Sequence, residues 1–232
     1  MAAGVKRKDL WITSKLWKSD YNDVEGACRT SLRKLKLDYL DMYMVHWMML
    51  PIDHEKKEWK VTSPPMHVIW QKMENLVKKG LVKSIAISNC TIPMLINLMA
   101  SCKIKPVINQ IELHPYLNQD AVVKYHKKWN IALEAYAPIG GEGASLLSDP
   151  LITKLAAAKR KSPAQIVIAW HVKRGTIPLT KTSRVERLPE NIDVLNIKLS
   201  DKEMQQIDAL DKGQRLFDPY KWASLQGMPY WS

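Results

Sequence analysis

Residues 107–116 read Val-Ile-Asn-Gln-Ile-Glu-Leu-His-Pro-Tyr, an apolar run that ends in polar and aromatic side chains. Five similar runs occur along the chain, and segments of helical period separate them. The runs cover residues 10–16, 39–47, 84–89, 107–113, 131–139 and 176–180, and the helical segments cover 23–36, 66–79, 91–101, 120–129 and 150–173. Several runs are apolar on both faces, as in strands that are covered on both sides. Strand–helix alternation at this spacing predicts an α/β protein with a parallel sheet.

Two local signals refine this prediction. The last helical segment should break at Ser162-Pro163, because serine is a good N-cap and proline fits the first helical position. The rhythm itself fits either an eight-stranded β/α barrel or an open doubly wound sheet. No strand is followed by the Gly-x-Gly-x-x-Gly sequence of a Rossmann site, and residues 140–143, Gly-Gly-Glu-Gly, are more typical of a loop than of a phosphate cradle.

Composition limits the classes of function. The chain has 232 residues, 46% of them hydrophobic, and its formal net charge is +12. That charge is compatible with an anionic partner, but the basic residues are scattered, which favours solvated helix faces over a nucleic-acid surface. Three cysteines without metal-binding spacing fit a reducing compartment, and no apolar run approaches the ~20 residues of a membrane span. We therefore expect a cytoplasmic protein that binds neither nucleic acid nor membrane.

The ends of the predicted strands concentrate the chemistry. Lys15, His46, the pair Ser88-Asn89 and residues 109–116 each follow or close an apolar run. Taken alone, Lys15 is more often an ordinary surface lysine and His46 a hydrogen-bonded core histidine. In a parallel barrel, however, functional side chains gather where strands end and loops begin. The repetition of such ends in chain order favours one site.

Residues 181–191 read Lys-Thr-Ser-Arg-Val-Glu-Arg-Leu-Pro-Glu-Asn. The spacing Ser183-x-x-Glu186 is that of a capping box, which predicts that a helix begins there. The N-terminus of that helix, surrounded by Lys181, Arg184 and Arg187, would suit a phosphate monoester. The alternative is a capped helix with solvated basic residues.

Together these motifs resemble those of the aldo-keto reductases, over essentially the whole chain. The stretches that carry the resemblance are residues 6–17, 38–47, 88–89, 109–116 and 181–191. The resemblance implies a TIM (β/α)8-type barrel, present here as one domain, 1–232, that is incomplete and has strands three to eight. It also implies reduction of aldehydes and ketones to alcohols by hydride transfer from NADPH, without metal or flavin.

The resemblance implies two catalytic residues in this chain. Lys15 matches the lysine that lowers the pKa of a proton-donating tyrosine, and His46 matches the histidine that orients the carbonyl group. Both roles are physically sound. An ammonium group favours a nearby phenolate, and a neutral imidazole N–H can polarise a carbonyl oxygen.

The resemblance also implies a cofactor site and part of a substrate pocket. Ser88, Asn89 and Gln110 match contacts of the nicotinamide carboxamide, and Tyr136 matches the ring stacked on its face. Residues 140–145 match the strap over the pyrophosphate. The further cofactor residues implied are Ala137, Ile139, Gly140 and Ser183, with Lys181, Thr182 and Arg187 for the 2′-phosphate and Glu190 and Asn191 for the adenine. Trp47 and Trp222 are candidates for an apolar substrate pocket, although tryptophans also pack under loops.

One departure from the family pattern concerns the proton. The tyrosine donor and the aspartate that pairs with the lysine belong to a motif after the family's second strand, and this sequence begins just before the third. Tyr43 should face away from His46, and Tyr21 lies on the correct rim without a supporting motif. We therefore expect a truncated form with little carbonyl reduction, whose open sheet edges at 10–16 and 176–180 invite self-association. The alternatives are an NADPH-binding regulatory or interaction protein and an inactive fragment.

Overall fold

The computed structural model describes residues 4–48, 64–141, 145–219 and 230–231. They form two compact units, one within Met1–Asn109 and one within Gln110–Trp222, the second including residues 230 and 231. Each unit consists of parallel strands that alternate with helices, as the sequence predicts.

The first unit contains three complete strands that pair in parallel. Leu16, Val45 and Ile87 lie side by side near their carboxyl ends. The strands are β1 (Thr13–Leu16), β2 (Leu40–Val45) and β3 (Val82–Ser88), and the helices are α1 (Val24–Leu35), α2 (Met66–Lys78) and α3 (Ile92–Met99).

The second unit continues the same pattern. Its strands are β4 (Ile108–Glu112, which begins in the first unit), β5 (Ala132–Tyr136) and β6 (Ile177–Pro178). Its helices are α4 (Asp120–Lys128), α5 (Pro150–Lys159), α6 (Pro163–Arg174), α7 (Arg187–Ile192) and α8 (Asp201–Asp208). The six strands form one sheet in the order β1-β2-β3-β4-β5-β6. The strands therefore follow one another in chain order, as successive β/α units do.

The break predicted in the last helical segment is confirmed. The Ser162 hydroxyl accepts a hydrogen bond from the Gln165 N–H, and the Gln165 side chain accepts one from the Ser162 N–H. This reciprocal pair satisfies two N–H groups that a helix end otherwise leaves without partners. Gly175 ends α6 at a φ of 76°, a left-handed conformation that glycine adopts without strain.

The last strand is shorter than its apolar run. Residues 176–180 were expected to pair, but β6 contains only Ile177 and Pro178. Proline has no backbone N–H to donate to a ladder, which limits a strand at this position. Leu179 nevertheless donates to the Ala135 carbonyl at 2.9 Å, so the chain stays beside β5 for one more residue.

Each unit has its own apolar core. All six residues of β2 are buried, which confirms the prediction of strands covered on both faces. In the second unit Trp170 of α6 is fully buried and donates its indole N–H to Asp208 at 2.8 Å. Among the described residues, no helix has the length and apolarity needed to cross a membrane, and no cluster of His, Cys, Asp and Glu is suited to a metal ion.

Candidate active site

In the first unit, the predicted catalytic residues meet at the carboxyl ends of neighbouring strands. Lys15 lies next to the last residue of β1, and His46 follows the last residue of β2. The His46 N–H donates to the Leu16 carbonyl at 3.1 Å, which extends the ladder between the two strands by one residue. The strand pairing thus places the lysine and the histidine at the same end of this part of the sheet.

The surroundings of His46 determine its charge. Burial lowers its pKa, and the positive charge of Lys15 lowers it further, to about 4. The Trp17 ring stands edge-on to the imidazole, with centroids 4.9 Å apart, and Trp47 lies at 6.5 Å on a nearly parallel plane. His46 is therefore neutral at pH 7, with one N–H to donate and one nitrogen to accept.

Ser88 and Asn89 end β3 and are almost completely buried. Asn89 has a φ of 54°, a left-handed conformation that asparagine tolerates better than most residues. Its side-chain amide donates to the His46 carbonyl at 3.0 Å and lies 3.3 Å from the Ser88 hydroxyl. Asn89, one of the residues predicted to bind the carboxamide, thus also fixes the backbone of the predicted catalytic histidine.

Two tyrosines of the first unit, Tyr21 and Tyr43, are buried. The Tyr21 hydroxyl donates to the Trp47 carbonyl, and the residue is fully buried. Tyr43 is buried in β2. Burial raises the pKa of both phenols above the ordinary value, so neither is an acid tuned toward neutral pH.

In the second unit, two further predicted residues lie at strand ends. Gln110 of β4 is buried and donates its side-chain N–H to the Glu134 carboxylate at 2.7 Å. Tyr136 ends β5, and Phe217 stands edge-on to its ring with centroids 5.4 Å apart. Burial is the main cause that raises the pKa of Tyr136, and the negative charge of Glu112 adds to it.

A tight turn follows β5. Ala137 has a φ of 49° and Gly140 a φ of 81°, and the Gly140 N–H donates to the Ala137 carbonyl at 2.9 Å. The predicted strap of residues 140–145 includes residues 142–144, which lie outside the described part of the chain. Of the two tryptophans predicted for the substrate pocket, Trp222 also lies outside the described residues. The other, Trp47, is buried.

The residues predicted to hold the adenosine phosphate come together in one cleft. Its volume is about 250 Å³, and α6 contributes the residues of its N-terminus to the wall. The lining residues are Ile139, Leu147, Ser162, Pro163, Ala164, Thr180, Lys181, Thr182, Arg187, Glu190 and Asn191. Two cations, several hydrogen-bonding groups and apolar side chains thus share one space, which suits a phosphorylated heterocycle.

The predicted capping box at Ser183 and Glu186 is wrong. The Thr182 hydroxyl accepts the Arg184 N–H at 3.0 Å and forms a local turn instead. The helix begins only at Arg187, after Glu186, whose side chain makes no capping hydrogen bond. Neither Ser183 nor Arg184 lines the cleft, so its positive charge comes from Lys181 and Arg187.

Sequence reasoning missed the place of Ser162 in this cleft and the role of Gln165 beside it. Ser162 lines its wall, and the Gln165 side chain donates to the Glu190 carbonyl at 3.0 Å. This bond joins the start of α6 to α7, which carries Arg187, Glu190 and Asn191. Ser162-Pro163 predicted this helix end, and the spacing Ser162-x-x-Gln165, which is a capping-box signal, could have added Gln165 to the prediction.

Comparison with known proteins identifies a family and several relatives of this chain. The model of the aldo/keto reductase family matches residues 1–212. The NADP-dependent D-sorbitol-6-phosphate dehydrogenase of Malus domestica is 38% identical, over 94% of this chain and 76% of its own length. A methylglyoxal reductase of Yersinia pestis is also 38% identical, over 93% of this chain and 74% of its own.

Solved structures show the same likeness. The aldose reductase of Giardia lamblia superposes with a TM-score of 0.89 at 35% identity, over 99% of this chain and 80% of the other. A Bombyx mori aldo-keto reductase in complex with NADP superposes with a TM-score of 0.88 at 31% identity, over 98% of this chain and 76% of the other. The fold of this chain is thus that of an α/β oxidoreductase with a parallel six-stranded sheet. The chain belongs to the aldo/keto reductase family.

Proposed function

We propose that this chain binds NADPH and a small carbonyl compound and takes part in reduction of the carbonyl to an alcohol. The cleft that gathers Lys181, Arg187, Glu190 and Asn191 carries this proposal. Its two cations suit the 2′-phosphate that distinguishes NADPH from NADH, because a guanidinium and an ammonium form charge-assisted hydrogen bonds with phosphate. Membership of the family and the NADP-dependent relatives support the same cofactor.

The remaining cofactor contacts follow from the strand ends. We propose that Ser88, Asn89 and Gln110 hold the carboxamide through their side-chain donors and acceptors, and that Tyr136 presents its ring to the nicotinamide. Ala137 and Gly140 begin and end the turn after β5, and we propose that their small size lets the backbone approach the cofactor there. NADPH, once bound, supplies the hydride; the chain's own residues bind, orient and exclude water.

His46 is proposed to orient the carbonyl group. Its imidazole is neutral at pH 7, so its N–H can donate to the carbonyl oxygen and stabilise the charge that develops there. Lys15 contributes by keeping the imidazole unprotonated, and Trp17 and Trp47 limit the access of water to the ring.

Reduction of a carbonyl also consumes a proton. We propose that transfer of this proton to the carbonyl oxygen is slow in this chain of 232 residues. His46 holds no acidic proton at pH 7, and burial raises the pKa of the Tyr21, Tyr43 and Tyr136 phenols. None of these four groups is an acid poised near neutral pH, as efficient proton transfer requires.

A binding titration and a turnover assay of the same preparation test both parts. Fluorescence titration should show micromolar binding of NADPH, and stopped-flow oxidation of NADPH with an aromatic aldehyde should be far slower than the ~1–10³ s⁻¹ usual for enzymes. Turnover within that range would refute the slow proton step. Absence of binding would refute the cofactor site and leave the inactive fragment as the better description. Binding with no turnover would favour the regulatory or interaction protein.

We propose a cytoplasmic protein that binds neither nucleic acid nor membrane, since its +12 charge is scattered along the sequence. We also propose self-association through the terminal strands of the sheet order, β1 and β6. Ile177 and Leu179 are exposed at the second of these, and exposed apolar strand edges favour pairing between chains.

A further inference from the structure

Glu112, at the end of β4, is a carboxylate with no exposed surface. Three groups donate hydrogen bonds to it: the His114 imidazole at 3.0 Å, the Leu216 N–H at 2.7 Å and the Phe217 N–H at 3.0 Å. The Arg215 guanidinium lies 3.9 Å away. One side chain of the sheet therefore fixes a segment that follows it by more than one hundred residues.

The energetics of this carboxylate depend on these donors. Burial alone would raise the pKa of Glu112, but the hydrogen bonds from His114, Leu216 and Phe217 outweigh it, so the pKa lies below its ordinary value. A buried carboxylate without such partners is strongly destabilising. The segment 215–217 and Glu112 thus stabilise each other.

The anchored segment organises aromatic side chains. Phe217 stands edge-on to Tyr136, and its carbonyl accepts the indole N–H of Trp231 at 3.3 Å. The Arg215 guanidinium lies 4.0 Å from the centre of the Trp231 ring. Edge-to-face pairs and cation–π contacts prefer defined geometries, so a shift of the 215–217 backbone would move all three rings.

We propose that Glu112 is a positioning residue for the cofactor: it holds residues 215–217 so that Phe217 fixes the Tyr136 ring in the orientation that receives the nicotinamide. This inference rests on the proposed function, because it assumes that Tyr136 stacks on the cofactor. Glu112 itself touches no reacting atom. It acts through Phe217, and its removal should affect the nicotinamide half of NADPH and spare the adenosine half.

The chain offers a matched control in Glu74 of α2. Its side chain is 2% exposed and accepts the backbone N–H groups of Lys103 at 2.6 Å and Ile104 at 2.9 Å. Glu74 thus has the same chemistry as Glu112, a buried carboxylate that fixes two consecutive amides, in the first unit. Its replacement measures the structural cost of losing such an anchor.

The experiment compares Glu112→Gln, Glu74→Gln and Phe217→Leu with the unchanged chain. Binding of NADPH and of adenosine 2′,5′-bisphosphate, which lacks the nicotinamide, is measured by titration calorimetry. Glu112→Gln should raise the Kd of NADPH about tenfold, or about 1.4 kcal/mol, and leave that of the bisphosphate within twofold. Glu74→Gln should leave both within twofold. Hydrogen exchange should show lost protection at Leu216 and Phe217 in Glu112→Gln only.

Phe217→Leu separates the ring from the anchor. It should weaken NADPH to the same extent and keep the backbone protection at Leu216, because the N–H groups remain. Unchanged NADPH binding in this variant, or equal loss of both ligands in Glu112→Gln, would overturn the positioning role. If Glu112→Gln fails to fold, Phe217→Leu still decides. If the unchanged chain binds the bisphosphate but not NADPH, the stacking role of Tyr136 is wrong. If it binds neither ligand, the proposed function is wrong as a whole. Hydrogen exchange at Leu216 would still show whether Glu112 fixes the 215–217 backbone.

Discussion

The strand ends of the first unit and the phosphate cleft of the second use opposite physical means. In the first, Ser88 and Asn89 are almost fully buried and hydrogen-bonded to neighbouring groups, and burial keeps His46 neutral. In the second, Lys181 and Arg187 are exposed around a cleft of about 250 Å³. Removal of water favours the neutral form of an imidazole, whereas an exposed cation stays charged and can reach a ligand.

The two regions therefore respond to substitution in different ways. A buried, bonded cluster loses function through small displacements, because its members depend on one another. An exposed cleft depends mainly on the number and sign of its charges, and each cation should contribute separately. Substitutions in the two regions should therefore differ in what they change: the second should alter the choice of cofactor, and the first should alter pH dependence and stability.

Arg187→Ala should change the choice of cofactor more than any other substitution considered. A charge-assisted hydrogen bond to phosphate contributes roughly 2 kcal/mol, so NADPH should bind about 30-fold more weakly. NADH, which lacks the 2′-phosphate, should bind as before. Fluorescence titration with both cofactors measures the two constants.

Arg184→Ala is the control for this variant. Arg184 has the same charge and lies three residues earlier, but it does not line the cleft. Its loss should change NADPH binding by no more than about twofold, the effect of a distant charge in salt. Equal weakening of NADPH and NADH by Arg187→Ala would contradict the assignment of Arg187 to the 2′-phosphate.

The next effect concerns stability and pH in the first unit. The folded-state pKa of His46 is about 4, below the ~6.5 of an unfolded histidine. As the pH falls from about 6.5 to about 4, His46 binds a proton in the unfolded chain but not in the folded chain. The free energy of unfolding therefore decreases. His46→Asn removes this contribution. Over the same pH range, the free energy of unfolding of the variant should fall by about 2 kcal/mol less than that of the unchanged chain.

Urea unfolding at pH 7.5 and pH 4.5 measures both proteins. His171, whose pKa burial lowers to about 3, shifts stability in the same direction, but it is present in both proteins and cancels in the difference. Parallel loss of stability in the two proteins would show that His46 is solvated in the folded state, which would remove the contrast between the two regions.

The sequence predicted much of this arrangement because most of its signals are local. The helix at 23–36 appears as Val24–Leu35, and Ser162-Pro163 separates two helices as predicted. The error at Ser183 is instructive, since a threonine one residue earlier offers its hydroxyl to the same stretch of backbone and delays the helix to Arg187. Competition between neighbouring hydroxyls is not visible in a spacing rule.

The Glu112 anchor could not have been predicted from the sequence. Two of its three hydrogen-bond donors lie 104 and 105 residues further along the chain, and both are backbone N–H groups, which every residue except proline has. No residue type marks such a contact. The motif at 109–116 predicts a strand end and gives no reason for a carboxylate at Glu112.

The smallest expected effect is that of Gln165→Ala on the second region. Gln165 completes the capping box of α6 and donates to the Glu190 carbonyl, so its loss should cost about 1 kcal/mol of stability and let α7 shift. NADPH should then bind about threefold to fivefold more weakly while NADH changes less, since the cations remain.

Glu203→Ala removes the same kind of capping partner from α8, whose capping box is solvent-exposed. It should cost similar stability and leave NADPH unchanged. If both variants weaken NADPH equally, the effect comes from general loosening of helix ends, and the Gln165–Glu190 bond has no particular role in holding the cleft.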